Sequence, residues 1–218
     1  MIVRRSTPCD LAVDHLVVAA ASLESGVAWV EERLGVTAVP GGKHVAMGTQ
    51  NALIGLGPGV YLEVIAIDPS LASPARPRWY ALDDPRMRAE LAESPALIHW
   101  AARTVDIEAD ATRCQIDLGA IMPMRRGEFQ WRLTVPDDGR LPGRGLVPTL
   151  IQWTGRHPSD TLHDSGLRLT ALAGEHPEPA PVRAALAALG CSETLKVTYG
   201  RAPRLAAMLR TPRGIVTL

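Results

Sequence analysis

Apolar residues recur along this chain with two different periods. In "VDHLVVAA" (13–20) valine and leucine run together as in a buried strand, interrupted by Asp14 and His15. In "SLESGVAWVEERLG" (22–35) they return as Leu23, Val27, Val30 and Leu34, the spacing of one helix face. Ser22 is placed to cap that helix, and Gly35 to close it in the left-handed conformation. Strand-like runs follow at about 36–40, 49–57 and 60–67, with Gly57-Pro58-Gly59 as a turn between the last two. The pattern predicts a βαβββ module over residues 1–67.

A shift of 84 residues brings the pattern back without a gap. In "IHWAARTVDIEADATRCQIDLG" (98–119) His99 falls on His15, Asp106 on the capping Ser22, and Leu118-Gly119 on Leu34-Gly35. The strands "AIMPMRR", "EFQWRLTVP" and "LVPTLIQW" follow, the last two separated by the long turn "DDGRLPGRG". They complete a second βαβββ module over 96–155. A weaker echo, "GLRLTALAGEHPEPAPVRAALAALG" (166–190), opens a partial third module of βαββ type over 156–218, with Thr170 where the histidines stood. Its later pieces are "TLKVTYG", "RLAAMLR" (short strand or helix) and "GIVTL". Segment 68–95 is a polar, proline-rich linker with a short helix expected from Pro85 to Ala92. The fold class is therefore α+β, with tandem βαβββ modules in one compact unit.

Composition narrows the partners. Lys plus Arg and Asp plus Glu number 23 each, so no excess charge points to nucleic acid or an acidic membrane. No apolar run reaches about 18 residues, so no transmembrane helix is expected. The first residues carry two arginines but no apolar stretch suited to a secretory leader. Cys9, Cys114 and Cys191 are scattered and odd in number, which reads as reduced thiols in a cytoplasmic protein. No phosphate-binding loop, nucleophile elbow or dinucleotide fingerprint is present.

The repeat singles out four polar residues. The first strands carry His15 and His99; the last strands carry Glu63 in "YLEVIA" and Gln152 in "TLIQWT". All four sit between apolar neighbours, where an isolated polar group is costly. One such residue is ordinary in a core, paired with a nearby partner. Four at matching positions point to one shared cleft between two modules. His44 and Asn51 flank the second and third strands of the first module and could reach a substrate or simply hold a turn. Trp131 and Arg132 occupy the comparable place in the second, as an anchor for an acidic or aromatic ligand or as a core indole and a solvated guanidinium. "RHPSDTLHDSG" (156–166) contains His157 and His163 but has no defensible ligand spacing, and reads as a surface turn.

Paired βαβββ modules with His on the first strand and Glu on the last resemble the vicinal oxygen chelate superfamily. That superfamily includes glyoxalase I, extradiol dioxygenases, fosfomycin-resistance enzymes and bleomycin-binding proteins. The segment "GG-x-H-x-x-x-GT-x-N" (Gly41, Gly42, His44, Gly48, Thr49, Asn51) is similar to the glyoxalase-like domain of bacterial proteins. The resemblance implies a curved mixed sheet around one cleft and a divalent metal held by His15, Glu63, His99 and Gln152. Gln152 departs from the pattern, since an acid is more usual there. Such donors suit Zn, Ni, Mn or Fe(II). Glu63 and His15 are then the expected catalytic pair, in a lyase, isomerase or dioxygenase acting on a small oxygenated substrate. The alternatives are a metal-free protein that sequesters a small molecule, and a dimerisation module with a degenerate site. The resemblance also allows the cleft to form within one chain or between the chains of a homodimer.

Overall fold

The computed structural model describes residues 11–218; Cys9 and the basic start of the chain lie outside them. The first module folds as β1 (Ala12–Ala19), α1 (Leu23–Leu34), β2 (Val39–His44), β3 (Thr49–Gly55) and β4 (Tyr61–Ile67). Ser22 accepts a hydrogen bond from the Ser25 N–H at 3.1 Å, and Gly35 closes α1 at φ 68°. The linker carries α2 (Pro85–Glu93), started by Pro85 at its first turn and by the Asp84 side chain, which accepts from the Arg86 N–H.

The second module is β5 (Ala96–Arg103), α3 (Ile107–Arg113), β6 (Ala120–Arg126), β7 (Phe129–Val135) and β8 (Thr149–Thr154). Asp106 caps α3 as expected, but the helix does not run on to Leu118-Gly119. The Cys114 N–H already turns back to the Ala111 carbonyl, and Asp117 accepts from the Gly119 N–H in a local turn. That turn competes with continued helix.

The two modules form one eight-stranded curled sheet, in the order β2-β3-β4-β1-β5-β8-β7-β6. Within each module the first and last strands pair in parallel; between modules β1 and β5 pair antiparallel. The third unit folds as β9 (Arg168–His176), α4 (Pro179–Ala188), β10 (Leu195–Tyr199), β11 (Arg204–Thr211) and β12 (Gly214–Thr217). It keeps the element order of the modules but not their pairing. Its sheet runs β10-β9-β11-β12, with the strand after the helix returning beside the first strand. The ambiguous "RLAAMLR" is a strand, alternating buried Leu205, Ala207 and Leu209 with outward residues.

Two apolar layers divide the chain. Leu16, Val18, Leu62, Val64, Trp100 and Leu150 face one way and pack with Val30, Leu34, Val182 and Leu209. Alternation turns Val17, Ala19, Ile65, Ala101 and Ile151 the other way, into the curl of the sheet. There the linker fills the concavity: Trp79, Tyr80, Leu82 and Leu91 pack against that face. Cys191 is buried in the first layer and Cys114 lies partly buried beside it, in keeping with packing roles. Among the described residues no helix is long and apolar enough to cross a membrane.

Candidate functional site

Pairing register places the site. His15 lies opposite Tyr61 on β4, and Val17 opposite Glu63, so His15 and Glu63 share the concave face one pleat apart. His15 Nε2 stands 3.8 Å from Glu63 Oε2. The β3–β4 ladder puts Asn51 on the same face, where its amide donates to Glu63 Oε1.

A bulge does the rest. Between β1 and β5, Val13 pairs with Ala102 and His15 with Ala101, leaving Asp14 as the extra residue. Strict alternation would turn Asp14 to the opposite face from His15. The bulge lets the two meet: His15 Nδ1 donates to Asp14 Oδ1 at 2.7 Å. Asp14 is fully buried, and its Oδ2 accepts from Trp153 Nε1 and His157 Nε2, both at 3.0 Å. Burial alone would raise its pKa, but the hydrogen bonds from His15 and His157 prevail and hold it at about 2. A carboxylate fixed in this way keeps the proton of His15 on Nδ1 and leaves Nε2 facing Glu63. Tyr61 stacks on the His15 ring at 4.7 Å and limits its rotation.

The second module contributes Arg126, at the end of β6. Its Nη1 donates to Asn51 Oδ1 at 2.8 Å and to His44 Nε2 at 3.2 Å. With Nε2 accepting, His44 donates from Nδ1 to Thr49 Oγ1 at 3.1 Å. Burial, reinforced by the Arg126 charge, keeps this imidazole neutral, with a pKa pushed down to about 4. The glycine-histidine-asparagine segment is thus the β2–β3 hairpin, with Gly48 at φ 60° making its turn. Its two polar side chains point into the curl. His15, His44, Asn51, Tyr61, Glu63, Trp79, Arg126, Trp131 and Trp153 line one small cavity of about 20 Å³, room for roughly a single water. A wider groove of about 840 Å³ between the start of α1, β2–β3 and α2 is lined mainly by Ala, Leu and Pro and touches none of these groups.

Two of the four residues expected to share a metal stand apart. His99 is fully buried, and its Nδ1 donates to the Gly145 carbonyl at 3.1 Å. Its remaining lone pair on Nε2 accepts from the Thr149 N–H at 3.1 Å, so no donor is left over. Desolvation keeps it neutral, with a pKa near 4. Gln152 lies on the opposite face of the sheet. The β7–β8 register pairs it with Arg132, while Ile151 and Trp153 turn inward. Its amide accepts from Arg132 Nη2 at 2.7 Å and the Ile107 N–H, and donates to the Val105 carbonyl. Matching "TLIQWT" to "YLEVIA" one residue out of phase turns every side chain to the other face. Arg132, engaged with Glu108 and Gln152 on that outer face, is likewise outside the cavity. Trp131 lines it. Among the described residues no three His, Cys, Asp or Glu side chains form a group able to hold a metal. The donors therefore do not fit the four-ligand metal centre that the resemblance implies.

Three contributors escaped the sequence reading. Asp14 stands beside His15, but only the bulge makes them neighbours in space. His157 sits in the segment read as a surface turn, yet it is buried and bonded to Asp14. Arg126 could have been found by alternation: Met122, Met124 and Arg126 share a face in β6, and Met124 pairs with the inward Trp131.

Tandem βαβββ modules curl into one sheet with His15 and Glu63 of the first module on its concave face, the architecture that the vicinal oxygen chelate resemblance implies. The profile of the family described as "Glyoxalase-like domain" matches residues 13–190, and the chain belongs to that family. No curated protein matches the sequence. A hypothetical protein from Staphylococcus aureus shares the fold at 14% identity and a TM-score of 0.59, over 89% of this chain and 88% of that one. Methylmalonyl-CoA epimerase from Mycobacterium tuberculosis is similar at 20% identity and a TM-score of 0.40, over 65% of this chain and 85% of its own.

Proposed function

We propose that the chain is a glyoxalase-like enzyme that moves a proton on a small oxygenated substrate, with Glu63 and His15 as the acid–base pair and Asn51, His44 and Trp131 in contact with the substrate. The observation that carries this reading is the facing of His15 Nε2 and Glu63 Oε2 at 3.8 Å, each fixed from behind, by Asp14 and by Asn51. A C–H presented across the open edge of that pair is within reach of both groups. Glu63 takes the proton from a carbon beside a carbonyl, and the pair returns it to the same or the neighbouring atom. The lyase, isomerase and epimerase classes of reaction share this first step. Buried apolar walls from Trp131, Leu133 and Ile151 exclude water around the pair. The present cavity is too small for such a substrate, so binding requires Trp79 and Tyr80 to withdraw.

The test is solvent exchange. A panel of small 2-oxo acids, 2-hydroxy ketones and thioesters is incubated with the protein in heavy water and followed by proton NMR. Loss of one C–H signal, slowed by about 10²–10⁴-fold in Glu63→Gln, is the expected result. Exchange that continues unchanged in both Glu63→Gln and His15→Ala would sink the reading. Binding without exchange in wild type would favour a sequestering protein instead.

A further inference from the structure

We infer that the Arg126 guanidinium supplies the positive charge of this cleft in place of a divalent metal, so that the ligand is a small organic anion held through its carboxylate. This deepens the proton-transfer reading and rests on it for the identity of the site, though not for the charge of the ligand.

Four observations converge. His99 and Gln152, the donors that would complete a metal centre with His15 and Glu63, are committed elsewhere. Arg126 instead reaches from the second module to the first, where among the described residues its hydrogen-bond partners are neutral, the Asn51 oxygen and His44 Nε2. Both bonds use Nη1. Among the described residues Nε and Nη2 of Arg126 donate to no protein group, and no carboxylate forms an ion pair with the side chain. Those two nitrogens form the edge of the fork that binds a carboxylate bidentately. A half-buried cation that meets the Glu63 carboxylate only through Asn51 is left without a direct ion pair, which an anionic ligand supplies.

The fourth observation concerns the backbone opposite. A Cβ on Gly42 would stand 2.9 Å from Arg126 Cδ, and one on Gly41 would stand 2.1 Å from Asn51 Oδ1. Gly42 also adopts φ 147°. The glycine pair of the β2 bulge leaves the passage through which Arg126 meets Asn51. The Asn51 amide is thereby polarised between the guanidinium and Glu63. Arg126 lines the same cavity as Glu63 and His15, so an anion it draws in is brought to that pair, and the same charge stabilises an enolate oxygen formed when Glu63 takes the proton.

Two titrations test this on the 218-residue chain. In buffer containing EDTA, oxalate is titrated by calorimetry into wild type, Arg126→Lys and Arg126→Met. Separately, Zn²⁺ and Ni²⁺ are titrated into EDTA-free protein, with metal content measured after dialysis. The expected result is oxalate binding that weakens with salt, falls about tenfold or more in Arg126→Met and is partly restored in Arg126→Lys, with no near-stoichiometric metal. Near-stoichiometric metal that is lost in His15→Ala overturns the proposal. So does the lack of any Arg126-dependent oxalate binding in wild type. Should Arg126→Met not fold, the salt dependence and the lysine variant still decide. Oxalate binding through Arg126 together with unimpaired exchange in Glu63→Gln would defeat the proton-transfer reading and leave this one standing.

Discussion

Asp14 Oδ2 accepts a hydrogen bond from His157 Nε2 at 3.0 Å, joining residues 143 positions apart, while its other oxygen holds His15 at 2.7 Å. One buried carboxylate thus ties the acid–base histidine to the segment that follows the second module. Asp14→Asn keeps the shape but sets an N–H against the Nδ1–H of His15. We expect His15 to move its proton to Nε2 and the fold to lose about 1–3 kcal/mol. Nitrogen-resolved NMR of the imidazoles reads the tautomer directly. A variant whose His15 remains protonated on Nδ1 would contradict the positioning role.

The buried imidazoles set an acid limit. His44 and His99 are held neutral to about pH 4 in the folded chain, whereas in the unfolded chain they take a proton below about 6.5. Between these values the unfolded state binds more protons, so stability falls as the pH is lowered from about 6.5 toward 4. Each histidine contributes on the order of 3 kcal/mol to that fall. Asp14 has the same sign in a lower window: its stabilisation is complete above the ordinary carboxylate value and is lost as pH drops toward about 2. Urea unfolding at a series of pH values should show a steep slope between 6.5 and 4.5, reduced by roughly one proton in His99→Gln. A flat profile there would mean that neither ring is kept neutral by the fold.

Much of this architecture was legible from period alone. The 84-residue offset located both modules, the Ser22 and Asp106 caps and the inward His15, and alternation along the last strand located Glu63, because strand and helix periods are set by backbone geometry. Gln152 turns outward against expectation because β8 has no landmark to fix its phase, and Gln152 and Trp153 are each plausible inward residues until the ladder with β7 is known. The Asp14 bulge was hidden for the same reason: an extra residue changes pairing without changing composition. The filling of the cleft by Trp79 and Tyr80 depends on contacts between distant segments, which no local pattern carries.

Helix α1 is seated by a residue that the apolar spacing passes over. Gly26 is buried, and a Cβ there would stand 2.6 Å from Val64 Cγ1 and 2.7 Å from Ala20 Cβ. Alanine is the better helix former by about 1 kcal/mol, but overpacking against a closed β4 costs about 1–3 kcal/mol. Gly26→Ala should therefore lower stability by up to about 2 kcal/mol. Adding Val64→Ala, which removes the nearer of the two clashing groups, should cost less in that background than in wild type. Strictly additive denaturation free energies would show that α1 shifts freely and that the close approach is unimportant.

The segment over the cleft is held against its own backbone preference. Tyr80 and Ala81 both lie in the left-handed region, at φ 60° and 55°. Such a conformation costs roughly 1–2 kcal/mol per residue. Two tethers keep it there: the Ala81 N–H donates to the Gly139 carbonyl at 2.7 Å, and Arg78 pairs with Asp83 at 2.6 Å. If closure over the cavity competes with ligand, the strain and the tethers pull in opposite directions. Ala81→Gly removes strain from the closed form, so it should raise stability by about 0.5–1 kcal/mol and weaken oxalate binding about two- to fivefold. Asp83→Ala loosens the closed form, so it should lower stability and strengthen binding. Calorimetry on the two variants gives the sign of each change. Shifts in the same direction would show that Trp79 and Tyr80 are fixed wall rather than a cover that must move.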